Sequence, residues 1–422
     1  MQIQEVRHRR FLHMFGSAVV VQALLSATNF IAGLVLIRRA SESDYGYFVL
    51  VSTSTLFLTG LQNAFLQPPM AMRMAKSTPL ERADLVGGVY RGQRRIVAGL
   101  GAAALLLIAA GAVFGVVTTR TALIAVAGSA AMAAGLYREY FRSVLLSFRR
   151  SQDVLRADAF YGAIVLLGVP LATFSPAPAV CAVLAVAAAA VVGGQLLSRL
   201  LWRYEPWNSG ASAAVLHDMV PLGGWSALGS ATHWAFSQGY NYLVAGILDV
   251  TAVAALAATR LLMMPVNLLS SGVGSLMMPT SLAWLQDHGP ARLFRRLLLI
   301  ASGLAAGASC YFVAVWLMRD LIFEQVMHKQ FAQSGFLVLS WSAVFFVMIF
   351  RDQLNFFPGA SGLYRRLTIL TGASAVVALC VGYACIRRFG TIGAPLAVLL
   401  GELCNLVGIV YLSLRQIGRR RD

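Results

Sequence analysis

The chain has 422 residues, of which 58% are hydrophobic and 12% charged, with 34 Lys and Arg against 17 Asp and Glu for a net charge of +17. A soluble chain carries about 25% charged residues, so this composition, at a mean hydropathy of +0.72, excludes an ordinary soluble globular protein. The positive charge is spread between apolar runs rather than gathered in a compact basic domain, which argues against nucleic acid as a partner.

The first apolar run, 14–37, follows a short basic segment, 1–13. It is longer than the 7–15-residue core of a cleaved signal peptide and carries no small-residue cleavage site. Runs at 46–68, 96–117, 121–141, 157–175 and 178–200 complete a first group of six. A basic, Trp-containing linker, 201–218, leads to a second group at 219–247, 252–284, 297–318, 333–350, 367–386 and 390–414, and a basic tail, 415–422, closes the chain. Runs of about 20 apolar residues are long enough as helix to cross a ~30 Å hydrocarbon core. Period-2 alternation is nowhere sustained, and open sheet edges cannot sit in lipid. The fold class expected is therefore an all-α polytopic membrane protein with about twelve transmembrane helices.

Placing the N-terminus inside puts 26 of the 34 Lys and Arg residues in, or at the helix ends beside, the inner segments, against 7 outside, with Arg260 in an apolar run. That split obeys the positive-inside rule and accounts for the net charge, with contact to anionic inner-leaflet lipid as a further consequence. Both termini are expected to be cytoplasmic.

The two groups of six repeat one another. The basic openings "RGQRR" and "RLFRR" lie 201 residues apart, Phe141-Arg142 and Phe350-Arg351 209 apart, "GGQLLS" and "LGELCN" 207 apart, and Pro69 and Pro279 210 apart. Six is an even number, so both halves point the same way, a parallel repeat about an axis along the membrane normal. The expected architecture is two six-helix lobes, 14–200 and 219–414, around a central cavity.

No external loop exceeds about 14 residues and the longest internal one is about 27, too short for a soluble catalytic domain. There is no P-loop, H-E-x-x-H or G-x-S-x-G motif. An enzyme, a cofactor and a metal are not expected. The five cysteines all lie in predicted spans and read as small apolar residues.

The stretch "LIRRASESDYGYFVLVSTSTLFLTGLQNAFLQ" carries Glu42, Asp44, Tyr45, Gly46 and Gly60-Leu61, and "YLVAGILDVTAVAALAATRLLMMPVNLL" carries Arg260 and Pro265. Both resemble the Wzx-type polysaccharide-unit flippases of the multidrug/oligosaccharidyl-lipid/polysaccharide exporter superfamily. Where many relatives carry an acidic-basic pair late in helix seven, this sequence has Gly239, Tyr240 and Asn241. The resemblance implies transport of a polyprenyl-diphosphate-linked glycan between leaflets of a bacterial inner membrane, with membrane lipids and a polysaccharide polymerase or export machinery as further partners. A multidrug exporter of the same superfamily and a membrane glycosyltransferase or polymerase are the alternatives.

Arg260 is the first site candidate, about 12 Å into its helix. A charge there costs ~2.5–3.5 kcal/mol against lipid and usually faces a bundle interior. It reads as a ligand for diphosphate, or as an interhelix ion pair or carbonyl clamp at a helix bent near Pro265. Glu402, near midplane, reads as a coupling carboxylate, as a partner of Arg260, or as a buried hydrogen-bonded Glu like its repeat counterpart Gln195. His233, Gln238 and Asn241 in span seven, and Asn29, Gln62, Asn63 and Gln67 in the first lobe, could bind sugar or tie helices together. Arg142 and Arg351 at the cytoplasmic helix ends read as snorkelling anchors or as greeters of an arriving diphosphate. Arg38 and Arg39 on the outer side could steer the head group out or pair with Glu42 and Asp44.

Overall fold

The computed structural model describes residues 23–74, 76–148, 150–331 and 333–418. The segment 1–13, the first part of span one and the end of the basic tail lie outside them, as does the side chain of Pro279. The described chain is helix throughout, with no strand. Among the described residues, eight helical stretches are long and apolar enough to cross a membrane, nine when one bent pair is counted, and one of the eight, Tyr364–Gly418, holds both of the last two expected spans. These spans make an integral membrane protein.

Helix α1 covers 23–39. Helix α2, Glu42–Met74, starts where the Ser41 hydroxyl accepts from the Asp44 N–H at 3.1 Å, and Glu42 and Asp44 in its first turn suit the positive end of its dipole. Proline should end a helix, and span two was expected to stop at 68. Instead α2 runs through Pro68 and Pro69 to Met74, because Leu66, Met70 and Met74 bury in one core with Leu85, Val89 and Phe141. Packing here outweighs the lost ladder bonds.

Helix α3, Pro79–Val113, opens on a capping box of Thr78 and Glu81 with Pro at its first turn. Helix α4, Thr119–Ser147, packs on α6, Pro178–Tyr204, through Ala127, Ala131 and Ala134 against Val183, Ala187 and Ala190. Small residues let backbones approach where the hydrophobic effect supplies no force between helices. Helix α5, Ser151–Ala172, lies between them in sequence. The linker then returns along α3. A side chain at Gly87 would meet the Asn208 carbonyl oxygen at 1.7 Å, and one at Gly88 the Ser212 carbonyl oxygen at 2.4 Å, so only glycines admit the strand of chain there. Asn208 also donates to Asp84 at 2.8 Å, and Trp207 stacks on Tyr90 at 5.2 Å between ring centres.

Helix α7, Val220–Gln238, is followed after Gly239 by α8, Tyr240–Ile247. Helix α9, Val250–Leu261, meets the start of α10, Met264–Leu317, at a 56° bend, next to Pro265. The Leu262 carbonyl at the bend accepts from the Tyr311 hydroxyl at 2.8 Å. Within α10, Gly289 has φ 76°, which separates the expected spans eight and nine. Helix α11, Ser334–Leu354, α12, Tyr364–Phe389, and α13, Gly393–Gly418, complete the chain.

The chain divides into two compact units between Ala231 and Thr232, inside α7. The linker and the first turns of α7 belong to the first unit. The Phe65 carbonyl oxygen lies 2.3 Å from where a side chain at Gly223 would begin.

Candidate functional site

Charged residues buried among apolar helices mark three places. In the first unit, α4 carries Arg138, Glu139 and Arg142, and α5 carries Asp158, which is fully buried. Arg138 and Arg142 grip opposite oxygens of Asp158, Arg142 through Nε at 3.0 Å. Arg142 Nη1 also donates to Glu139 at 3.0 Å. Asn63 Nδ2 donates to the same Glu139 oxygen at 2.8 Å, and the Ser143 hydroxyl donates to Asn63 at 2.6 Å. Gln67 reaches Ser143 at 3.3 Å, and Gln62 accepts from Gln93 at 3.2 Å. The Arg138 guanidinium lies 3.8 Å from the centre of the Tyr161 ring, a cation–π contact. Gly193 and Gly194 of α6 make room, with Arg138 Cδ and the Tyr137 ring against their Cα atoms. Two cations face two carboxylates, so the cluster is closed on itself.

Several expected candidates thereby acquire partners. Asn63 and Gln67 tie α2 to α4, and Gln62 ties α2 to α3; none of the three bonds to α1. Arg142 is not a snorkelling anchor: its guanidinium turns inward to two carboxylates. Asn29 is exposed on α1, as are Arg38 and Arg39 at its end. Arg39 stacks on Phe174 at 5.1 Å, and Asp44 pairs with Arg120 at 2.9 Å rather than with either.

In the second unit, Arg351 on α11 and Glu402 on α13 form a two-point pair, Nε to Oε2 at 2.9 Å and Nη2 to Oε1 at 3.0 Å. Arg351 Nη1 meets Asp352 at 3.0 Å. Glu402 is 1% exposed, so this charge is compensated by geometry alone. Arg351, like Arg142, points into the protein rather than out along the interface. Glu402 pairs with Arg351 and not with Arg260. His233 is exposed on α7, with Arg351 and Asp352 as its nearest charged influences.

The third place is Arg260, near the end of α9. All three of its hydrogen bonds leave from one nitrogen, Nη1. The acceptors are the Gln238 side chain at 2.9 Å, the Tyr240 hydroxyl at 2.8 Å and the Ser237 carbonyl at 3.3 Å. Tyr240 and Trp341 rings flank the guanidinium at 5.5 and 5.3 Å and touch each other at 5.3 Å. Asn241 Nδ2 donates to the same Gln238 oxygen at 3.1 Å. Among the described residues no carboxylate lies within ion-pair distance of Arg260. Nε and Nη2, the edge of the fork that chelates a phosphate or carboxylate in two-point fashion, have no hydrogen-bond partner among the described residues. One backbone carbonyl, that of Ser237 on α7, is among its acceptors, and the three together occupy one edge of the guanidinium only.

Tyr240, Trp341, Arg138, Glu139, Asp158 and Asp352 are the residues a reading along the chain overlooks. Asp158, a lone carboxylate at the start of an apolar span, and the "REYFR" charges at the end of span four were the available signals. Tyr240 and Trp341, 101 residues apart, offered none. No group of three or more His, Cys, Asp or Glu is placed to hold a metal among the described residues, and the five cysteines are free thiols.

No protein-family model matches the chain, and no curated protein matches it. Solved structures do. The fold is similar to an inward-facing multidrug resistance MATE family transporter of the MOP superfamily, with TM-score 0.70 and 16% identity over 94% of this chain and 95% of that one. It is equally similar to the lipid II flippase MurJ in an inward closed conformation, TM-score 0.70 and 10% identity over 93% and 86%. A MOP superfamily transporter from Pyrococcus furiosus, whose binding pocket is described as reversed in polarity, aligns at TM-score 0.58 and 13% identity over 98% and 96%. At these identities the likeness is one of fold.

Proposed function

We propose that this chain is a transporter of the flippase type, moving a polyprenyl-diphosphate-linked glycan from the inner to the outer leaflet of a bacterial inner membrane by alternating access. The observation that carries the reading is the half-occupied guanidinium of Arg260. Arg260 is partly exposed, and a charge at this depth usually faces a bundle interior or a water-filled cavity. Here neutral acceptors hold one edge and the other is left for an anion. A diphosphate offers the paired oxygens that edge fits. The similar fold of MurJ, a lipid II flippase, supports the same class of cargo. Both ends of the chain would lie in the cytoplasm, and a polymerase would take the delivered glycan.

A multidrug exporter is the competing reading, supported by the MATE structures of the same fold. Cationic drugs call for unengaged carboxylates. Asp158 and Glu402 are both spoken for by arginines, which favours the anionic cargo. The same engagement makes Glu402 an anchor for Arg351 rather than a proton carrier.

The test is Arg260→Ala, followed by flipping of fluorescent polyprenyl-diphosphate-linked disaccharide in proteoliposomes. Flipping falls at least a hundredfold while insertion and folding persist, and Arg260→Lys restores part of it. Undiminished flipping by Arg260→Ala would exclude the phosphate contact, and export of a cationic dye by the same protein would install the competing reading.

A further inference from the structure

Arg260 could have been held by a carboxylate, as Arg142 and Arg351 are. It is held instead by an amide, a phenol and a backbone carbonyl. We infer that Gln238 is the positioning residue that sets the charge of this site: its amide fixes the guanidinium in place without cancelling it, so that the open edge accepts an anion. The inference rests on the anionic cargo proposed above and specifies the residue that decides it.

Three features make Gln238 the pivot. Its Oε1 accepts from Arg260 Nη1 and Asn241 Nδ2 together, so the amide is fixed from two sides. Asn241, one turn further on, is 2% exposed and cannot swing away to release it. The chain keeps helical dihedrals through Gly239 (φ −59°, ψ −27°), where a side chain would press on the Ala235 carbonyl oxygen at 2.4 Å and on Leu379 at 3.0 Å. Ser237, Gln238 and Tyr240 thus stand within one turn of each other and meet the same nitrogen of Arg260. Gln and Glu have the same shape and differ by one charge. A carboxylate at 238 would sit 2.9 Å from Nη1, form an ion pair and remove the net positive charge that draws an anion.

The experiment uses the full-length protein in lipid nanodiscs, with farnesyl diphosphate as the probe and farnesol as the uncharged control. Binding is measured between pH 5 and pH 8 for the unaltered chain, Gln238→Glu, Gln238→Leu and Arg260→Ala. The expected result at pH 8 is a loss of diphosphate affinity of at least tenfold for Gln238→Glu and about threefold for Gln238→Leu, with farnesol binding unchanged in both. The Gln238→Glu loss shrinks as pH falls and its carboxyl takes up a proton, whereas the Gln238→Leu loss is flat. His233, Glu402, Asp352 and the probe itself titrate in every protein compared, so the difference between profiles reports residue 238. Equal losses for Glu and Leu at every pH would overturn the inference in favour of packing, as would unaltered binding by Gln238→Glu. If Arg260→Ala binds the probe normally, the anionic cargo itself fails. If Arg260→Ala loses binding and Gln238→Glu does not, only the role of Gln238 fails.

Discussion

The two units keep an arginine at the same place and hold it differently. Arg142 lies near the C-terminal end of α4 and Arg351 near that of α11, 209 residues apart. In the first unit the carboxylate comes from the fifth helix, α5, as Asp158, shared with a second arginine and extended by Glu139, Asn63, Ser143 and Gln67. In the second it comes from the sixth helix, α13, as Glu402, where the first repeat has Gln195. Gln195 is exposed on α6. The difference teaches that the repeat preserves the need to neutralise one buried guanidinium and leaves open which neighbour does so. It also sets apart the partly exposed Arg260, which has neither arrangement among the described residues.

The comparison can be broken at its carboxylates. Asp158→Asn leaves Arg138 and Arg142 short of a counter-charge, and Glu402→Gln does the same to Arg351. Removing one partner of a buried pair costs ~3–5 kcal/mol. The loss should be the larger for Asp158→Asn, because Arg138 then loses its carboxylate while Arg142 keeps Glu139, and thermal unfolding in detergent measures both. Arg351 keeps Asp352, so its variant should be the more tolerant. Equal destabilisation would mean that Arg138 is satisfied by the Tyr161 ring alone.

A smaller effect sharpens the same contrast. The first unit includes the linker, seated on Gly87 and Gly88 of α3. Gly87→Val would collide with the Asn208 backbone and lift the linker from α3. Protease cleavage between 205 and 212 should accelerate about tenfold, while the Arg351–Glu402 pair of the second unit stays as it was. Unchanged cleavage would show that the linker has another seat.

The smallest effect concerns the helix that carries Arg260. Asp249 caps α9: the Thr251 hydroxyl donates to it at 2.6 Å and the Ala252 N–H at 2.7 Å. These bonds hold its carboxyl below the usual range. A lowered folded-state value means the cap contributes fully above the unfolded-state pKa and is lost as pH falls through the folded one. Asp249→Ala should cost ~1 kcal/mol at neutral pH and progressively less in acid, by thermal unfolding across a pH series.

Sequence alone determined the solvent. Apolar runs of helical length, positive charge gathered in alternate connecting segments, and a half-length similarity are readable from the sequence, because the bilayer demands that every backbone group be satisfied within a helix. It also singled out Arg260, Gln238, Asn241, Arg351 and Glu402 as costly residues in apolar company. Only the tertiary structure decided who answers whom. Arg351 and Glu402 are 51 residues apart, Asn63 and Glu139 are 76 apart, and Trp341 reaches Arg260 across the fold. Side-chain pairing depends on how helices rotate about their axes and cross, and in lipid that rotation is set by small-residue contacts such as those of Gly193 and Gly194, whose effect no single helix displays.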